Sequence, residues 1–219
     1  MIAVLAGLLL AVALPRLQAA WHFLPVEAAI ERYWITGDLP AERLGELQRR
    51  SRESVAIHPH PRYWEGLSLL YYLEALQPDQ RLHHQRGAFE NAIQAADASL
   101  RLAPVQPRLW MRRADALDWL AYLAEPALQA LKMSVYTGRV EPMLALSRLR
   151  LGYARLGALD EEGRDLLRDQ TLVAWHLRQG DVLRALRSGQ LPISRLRYLL
   201  ADTHPDLLAE IEQGLGPSR

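Results

Sequence analysis

The chain has 219 residues, half of them apolar, enough for one domain or for a domain with an anchor. Basic and acidic residues number 26 and 25, so the charge balance makes no case for a nucleic-acid partner. Cysteine is absent, which excludes thiol catalysis, disulfides and thiolate metal sites.

Strong helix formers dominate: Ala, Leu, Arg and Glu are abundant, while Ile, Thr and Phe are scarce. The fold class expected is all-α. Nearly all the positive charge is Arg, and Lys132 is the one lysine. Genomic base composition explains that bias more simply than a set of anion-binding sites does.

Residues 2–14 are uncharged and apolar, and Pro15-Arg16 ends the run. Thirteen residues fall short of the ~20 that cross a hydrocarbon core. Three readings stay open: an uncleaved membrane anchor, a signal peptide cut near Ala19 or Ala20, and a buried first helix. Under the anchor reading, Trp21 and Phe23 are the interfacial aromatics. Arg16 after the run favours a body inside the cell, whereas the signal-like character favours export.

Beyond this run the apolar residues recur with helical period. A helix is expected over residues 25–35 with Pro25 at its first position, and Gly37-Asp38 breaks it. The next begins after Pro40, with Leu44, Leu47 and Val55 on one face, and His58-Pro59-His60-Pro61 stops it. A third covers residues 61–76. A polar stretch, residues 80–86, is loop or the frayed start of a helix that continues from Phe89 to Leu102. Pro107 opens another, ending near Leu123. Further helices are expected over residues 125–137, 141–156, 160–177, 181–186, 193–200 and 205–215. Asp160 is placed as an N-cap, with Glu161 and Glu162 in a first turn that favours acids.

Short connections between helices imply antiparallel neighbours. Small residues and prolines then fall where helical hairpins need them. Trp64 and Gly66 lie in one first helix; Ala92, Ala96 and Pro104 lie in its partner; Trp110 and Ala114 begin the next first helix. Residues 63–138 therefore resemble tetratricopeptide repeats, whose ~34-residue hairpins place small residues at the helix crossing and Pro at the end of the second helix. Two departures stand out: residues 77–86 make a connection longer than the repeat has, and Gly138 stands where a second closing Pro belongs.

The resemblance implies antiparallel hairpins stacked as a short α-solenoid behind an apolar N-terminal helix. The domain plan is residues 1–20 as anchor or signal peptide, 21–57 as connecting helices, 58–140 as repeat-like hairpins and 141–219 as a helical extension packed on them. The order of parts also resembles small membrane-associated accessory proteins of bacterial exopolysaccharide assembly. That likeness implies a body in the periplasm, anchored at the inner membrane or cleaved and soluble.

No catalytic constellation is evident. His58, His60, His83 and His84 are candidates for a metal, but no acid sits at ligand spacing and the His-Pro string reads first as a helix terminator. Asp115 and Asp118 lie one turn apart, beside Arg112 and Arg113, without a second carboxylate to complete a glycosidase pair. The arginines between Arg43 and Arg52, and Arg148 with Arg150, read as solvated helix faces or as contacts for anionic lipid.

The aromatics suit a ligand better, since Tyr and Trp join an apolar face to a polar handle. Tyr72, Arg113 and Tyr122 are the candidate groove-lining residues. The function expected is a non-catalytic, membrane-tethered scaffold for a protein partner, accessory to polysaccharide assembly or export, with no cofactor, no metal and no nucleic acid. The alternative is a carbohydrate-binding or polysaccharide-processing protein whose groove is lined with aromatic and Arg residues.

Overall fold

The computed structural model describes residues 2–78, 81–121 and 124–216. Ten α-helices and one 3-10 turn account for most of them, with no strand among the described residues. The helices are α1 (Ile2–Thr36), α2 (Ala41–Ile57), α3 (Pro61–Ala75), α4 (Leu82–Leu102), α5 (Pro107–Trp119), α6 (Ala124–Thr137), α7 (Ala145–Ala154), α8 (Glu161–Arg187), α9 (Ile193–Leu200) and α10 (Pro205–Leu215). The chain divides into two compact units between Pro104 and Val105, so α1 to α4 belong to the first and α5 to α10 to the second.

In the first unit, α1 is a single helix that runs through both Pro15 and Pro25. A proline inside a helix loses one backbone bond and costs ~3 kcal/mol, which is why its sequence reads as two pieces. Burial offsets that cost at Pro25. Ala19, Phe23, Val26 and Ala29 repeat at helical spacing and are buried in one cluster with Leu44 and Leu47 of α2 and Tyr63 and Leu70 of α3. The Phe23 and Tyr63 rings lie 4.7 Å apart.

Gly66 makes the contact between α1 and α3 possible. A Cβ at this position would lie 2.7 Å from Cζ of Phe23 and 3.3 Å from Cδ1 of Ile30. Phe23 is itself buried, with its ring against Tyr63. Gly66→Val is therefore expected to destabilise the chain by ~1–3 kcal/mol, the usual cost of overpacking. Urea unfolding checks this, and an unchanged midpoint would mean α1 shifts away at no cost.

α3 and α4 run antiparallel, as three hydrogen bonds in order along them require. Gln85 at the start of α4 donates to the carbonyl of Ala75 at the end of α3, Ser68 donates to Ala92 at mid-helix, and Ser99 donates to Pro61, each at 2.9 Å. α4 begins at Leu82, so the polar stretch holding His83 and His84 is helix rather than connection. Its first turns are steadied by the Arg86–Glu90 pair.

In the second unit, α5 and α6 form another antiparallel pair, with Ser134 donating to the carbonyl of Pro107 at 2.9 Å. α7 is shorter than its apolar pattern suggests, because residues 141–144 form a turn ahead of it. α8 is longer: it continues past Gly180, and its break falls at Arg178, whose φ and ψ are −141° and 36°. Arg178 also pairs with Asp181, one turn further on. Asp160 caps α8 by accepting from the backbone N–H of Gly163 at 2.9 Å, as its sequence position predicts.

The two hairpins open in the same way. Pro61-Arg62-Tyr63-Trp64 and Pro107-Arg108-Leu109-Trp110 both place Pro at the first helical position and Trp three residues on. In each, a buried Ser of the second helix donates to the carbonyl of that Pro, and a buried Ala lies seven residues before the Ser: Ala92 before Ser99, Ala127 before Ser134. This internal likeness is readable in the sequence once the two Pro-Arg-x-Trp strings are aligned.

Candidate functional site

The two hairpins place the expected packing residues inside. Ala92, Ala96 and Ala114 are buried, Trp64 packs half-buried against the core of the first unit, and Trp110 is half-buried on α5. Pro104 closes the connection after α4 and is the last residue of its unit.

The three candidate groove residues are distributed differently. Tyr72 is half-buried on α3, its ring 5.8 Å from Phe89 of α4 in an edge-on arrangement. Arg113 is half-buried on α5 with its guanidinium carbon 5.8 Å from the centre of the Trp110 ring, a cation–π contact within one helix. Tyr122 lies outside the described residues. Tyr72 thus belongs to the first unit and Arg113 to the second, each engaged with an aromatic of its own hairpin.

The exposed first half of α1 is more unusual. Leu10, Val12, Leu14 and Leu17 are all more than half exposed, and Trp21 is 72% exposed. Around residues 10–18 every face of the helix is open apart from partial cover at Pro15. About two and a half turns of largely apolar helix, residues 10–18, stand exposed ahead of the buried Ala19, Phe23 and Val26. Among the described residues, no helix is long and apolar enough to cross a membrane.

The charged groups are mostly committed to one another. On α2, Arg49 pairs with Glu53 and Arg50 with Glu46, and Arg52 donates to the Tyr71 hydroxyl at 3.1 Å. These exposed pairs are worth a few tenths of a kcal/mol each.

Lys132 of α6 lies buried between Asp160 and Glu162, at 2.7 and 2.6 Å. The hydrogen bonds that Lys132 donates to these acids raise its pKa, and the same bonds hold both carboxyls below their ordinary range.

Arg148 departs from both readings of its sequence. It is neither a solvated face nor a lipid contact, being only 1% exposed. Its guanidinium donates to the Ser134 hydroxyl and carbonyl, the carbonyls of Gly138 and Arg139, and Oε1 of Gln170. The carbonyls come from the end of α6, where the helix dipole favours a cation. Nothing in its sequence context separates it from Arg150, which is exposed and bonded to Gln190.

Asp115 and Asp118 are separated by their surroundings. Asp118 accepts from Arg155 Nε at 2.5 Å. Asp115 is largely desolvated; burial, and then the Asp118 charge, push its carboxyl up to about 7 against the pull of Arg150 and Arg112. A shifted acid is a common mark of a functional site, but the acid beside it, Asp118, is engaged by Arg155, and among the described residues no group of three His, Asp or Glu could hold a metal ion.

Of the candidate histidines, His60 serves the backbone. His60 Nδ1 accepts from the N–H of Arg62 and caps α3, and its ring lies 5.3 Å from Tyr63. His83 and His84 stack at 4.1 Å. Among the described residues no group of three His, Asp or Glu could hold a metal ion.

No protein-family profile, curated protein or solved structure matches the chain. The structure defines an all-α protein whose helices pack in hairpins, an arrangement compatible with a helical repeat.

Proposed function

We propose that this chain is a non-catalytic interaction scaffold of tetratricopeptide-like hairpins, tethered to a membrane by the first half of α1 and accessory to polysaccharide assembly or export. The observation that carries the tether is the apolar helix of residues 10–17, bare on all sides and continuous with a helix that is core from Ala19 onward. Bare apolar area of this kind marks a membrane or partner contact. Residues 2–17 span ~24 Å at 1.5 Å each. Arg16 and Trp21 then fall where interfacial residues belong. The scaffold reading is supported by the two antiparallel hairpins, each stitched at its base by a Ser-to-Pro hydrogen bond. The polysaccharide context rests on the order of parts alone: an apolar start, hairpins, and a Leu-rich helical tail.

Flotation of the full chain with vesicles of phosphatidylethanolamine and phosphatidylglycerol tests the tether. The chain is expected to rise with the vesicles, and a Leu10→Glu, Leu14→Glu double variant to stay at the bottom with an unchanged helical circular-dichroism spectrum. A full chain that does not float, or a double variant that floats equally, overturns the reading.

A further inference from the structure

The second unit contains an open cleft of about 530 Å³, within the size range of small-molecule sites. Its walls come from three places: Ala154 and Arg155 at the end of α7, the 3-10 turn Leu156–Ala158, and Arg164, Arg195 and Tyr198 from α8 and α9. Three guanidinium groups facing one cavity repel one another and need compensation. Arg155 has it in part, because Asp118 takes its Nε. Arg195 gives one nitrogen to the carbonyls of Tyr153 and Ala154, at 2.5 and 2.8 Å, and has no acidic partner among the described residues. Arg164 has none either, and its Nε is buried without any hydrogen-bond partner.

An unpartnered buried N–H on a charged group is costly, and buried polar groups in folded proteins are nearly always satisfied. The acids near this wall do not supply the missing partner. Asp160 and Glu162 hold Lys132, Asp165 pairs with Arg168, and Asp118 is on Arg155. Glu161, exposed at the start of α8, is the remaining acid of that turn.

We propose that this cleft binds a small anion bearing a phosphate or carboxylate group, held by Arg164 and Arg195 with Arg155 as a third contact. Guanidinium forks match oxyanions in shape and form the stronger, charge-assisted class of hydrogen bond. Tyr198 lies one turn after Arg195 on α9 and is mostly exposed, so its ring flanks the body that carries the anion. Ala154, Leu156 and Ala158 give that body an apolar floor. The inference does not depend on the membrane tether.

Isothermal titration of the full chain in uncharged dodecyl maltoside micelles tests it, with four probes: inorganic phosphate, glucose 6-phosphate, glucuronate and glucose. Saturable binding is expected for inorganic phosphate and for at least one sugar acid, and none for glucose. The preference between glucose 6-phosphate and glucuronate distinguishes phosphate from carboxylate. Arg164→Gln and Arg195→Gln are each expected to weaken binding by about tenfold to a hundredfold, the range for one charge-assisted hydrogen bond. Arg164→Lys keeps the charge and should retain part of the affinity, which guards against a Gln variant that merely misfolds. Tyr198→Ala should weaken the sugar acids and leave inorganic phosphate unaffected. No saturable heat with any anion, or equal heats with wild type and a folded Arg164→Gln, Arg195→Gln double variant, overturns the proposal.

Discussion

Arg148→Gln is expected to lower the melting temperature by roughly 10 °C, from a loss of about 3–5 kcal/mol when one side of a buried polar network is removed. The guanidinium gathers five acceptors: two on Ser134, the carbonyls of Gly138 and Arg139, and the Gln170 side chain. It thereby joins the end of α6 to α8 from its seat on α7. Burial pushes its pKa down to about 10, partly opposed by Glu141, so it stays charged at neutral pH.

No carboxylate bonds it directly; the charge is balanced by carbonyl dipoles at the negative end of α6. A shorter amide leaves several of those buried carbonyls without donors, each costing ~1–3 kcal/mol. Arg148→Lys should fail almost as badly, because one ammonium cannot reach acceptors arrayed around a planar fork. Differential scanning calorimetry reads both variants. A Gln variant that melts with wild type would show that Ser134, Gly138 and Gln170 find other partners.

Asp115→Asn acts in the opposite direction. It is expected to stabilise the chain above pH 7 and to flatten the pH dependence of stability between about 4 and 7. In the folded chain the Asp115 carboxyl titrates near 7, above its ordinary 3.8, so over that window the folded chain keeps a proton that the unfolded chain has released. Stability contributed by this group is therefore present at low pH and is lost as pH rises through about 7. Above that pH, both states are ionised and the folded chain carries a desolvated charge beside Asp118.

The groups facing it are Asp118 and Arg112 on α5 and Arg150 on α7. The Asn variant should gain a few kcal/mol at pH 8, worth ~5–10 °C in melting temperature. Melting curves from pH 4 to 8 decide it. An unchanged slope, or a variant less stable at pH 8, would mean that the neighbouring arginines already neutralise the carboxylate.

The helical class and most helix bounds were legible because Pro, Gly and the N-capping Asp160 punctuate a strong 3.6-residue pattern. Where a reading failed, at Pro25, tertiary packing overrode a local signal. Pro25 reads as a helix start, yet α1 passes through it because Phe23 and Val26 are buried on either side. The expected division between residues 160–177 and 181–186 agrees with the break at Arg178, beside its ion pair with Asp181. The polar segment around His83 reads as loop or as the start of a helix, and antiparallel pairing with α3 decides for helix.

Arg148 could not be picked out, since burial of a charge depends on carbonyls contributed by other helices. The cleft shows the same limit. Arg155, Arg164 and Arg195 are spread over 41 positions, and only the turn between α7 and α8 brings them to one cavity.

The two Ser-to-Pro bonds carry one more consequence. They span 38 residues in the first hairpin and 27 in the second, a difference of 38 − 27 = 11. Nine of the eleven are helical: α3 has 15 residues to α5's 13, and α4 has 21 to α6's 14. Seven of these lie in α4, about two turns, and two in α3, so the open tip of the hairpin differs in length while its stitched base stays constant. Variation in length among chains built this way should gather at the tips, away from the Ser-to-Pro bonds.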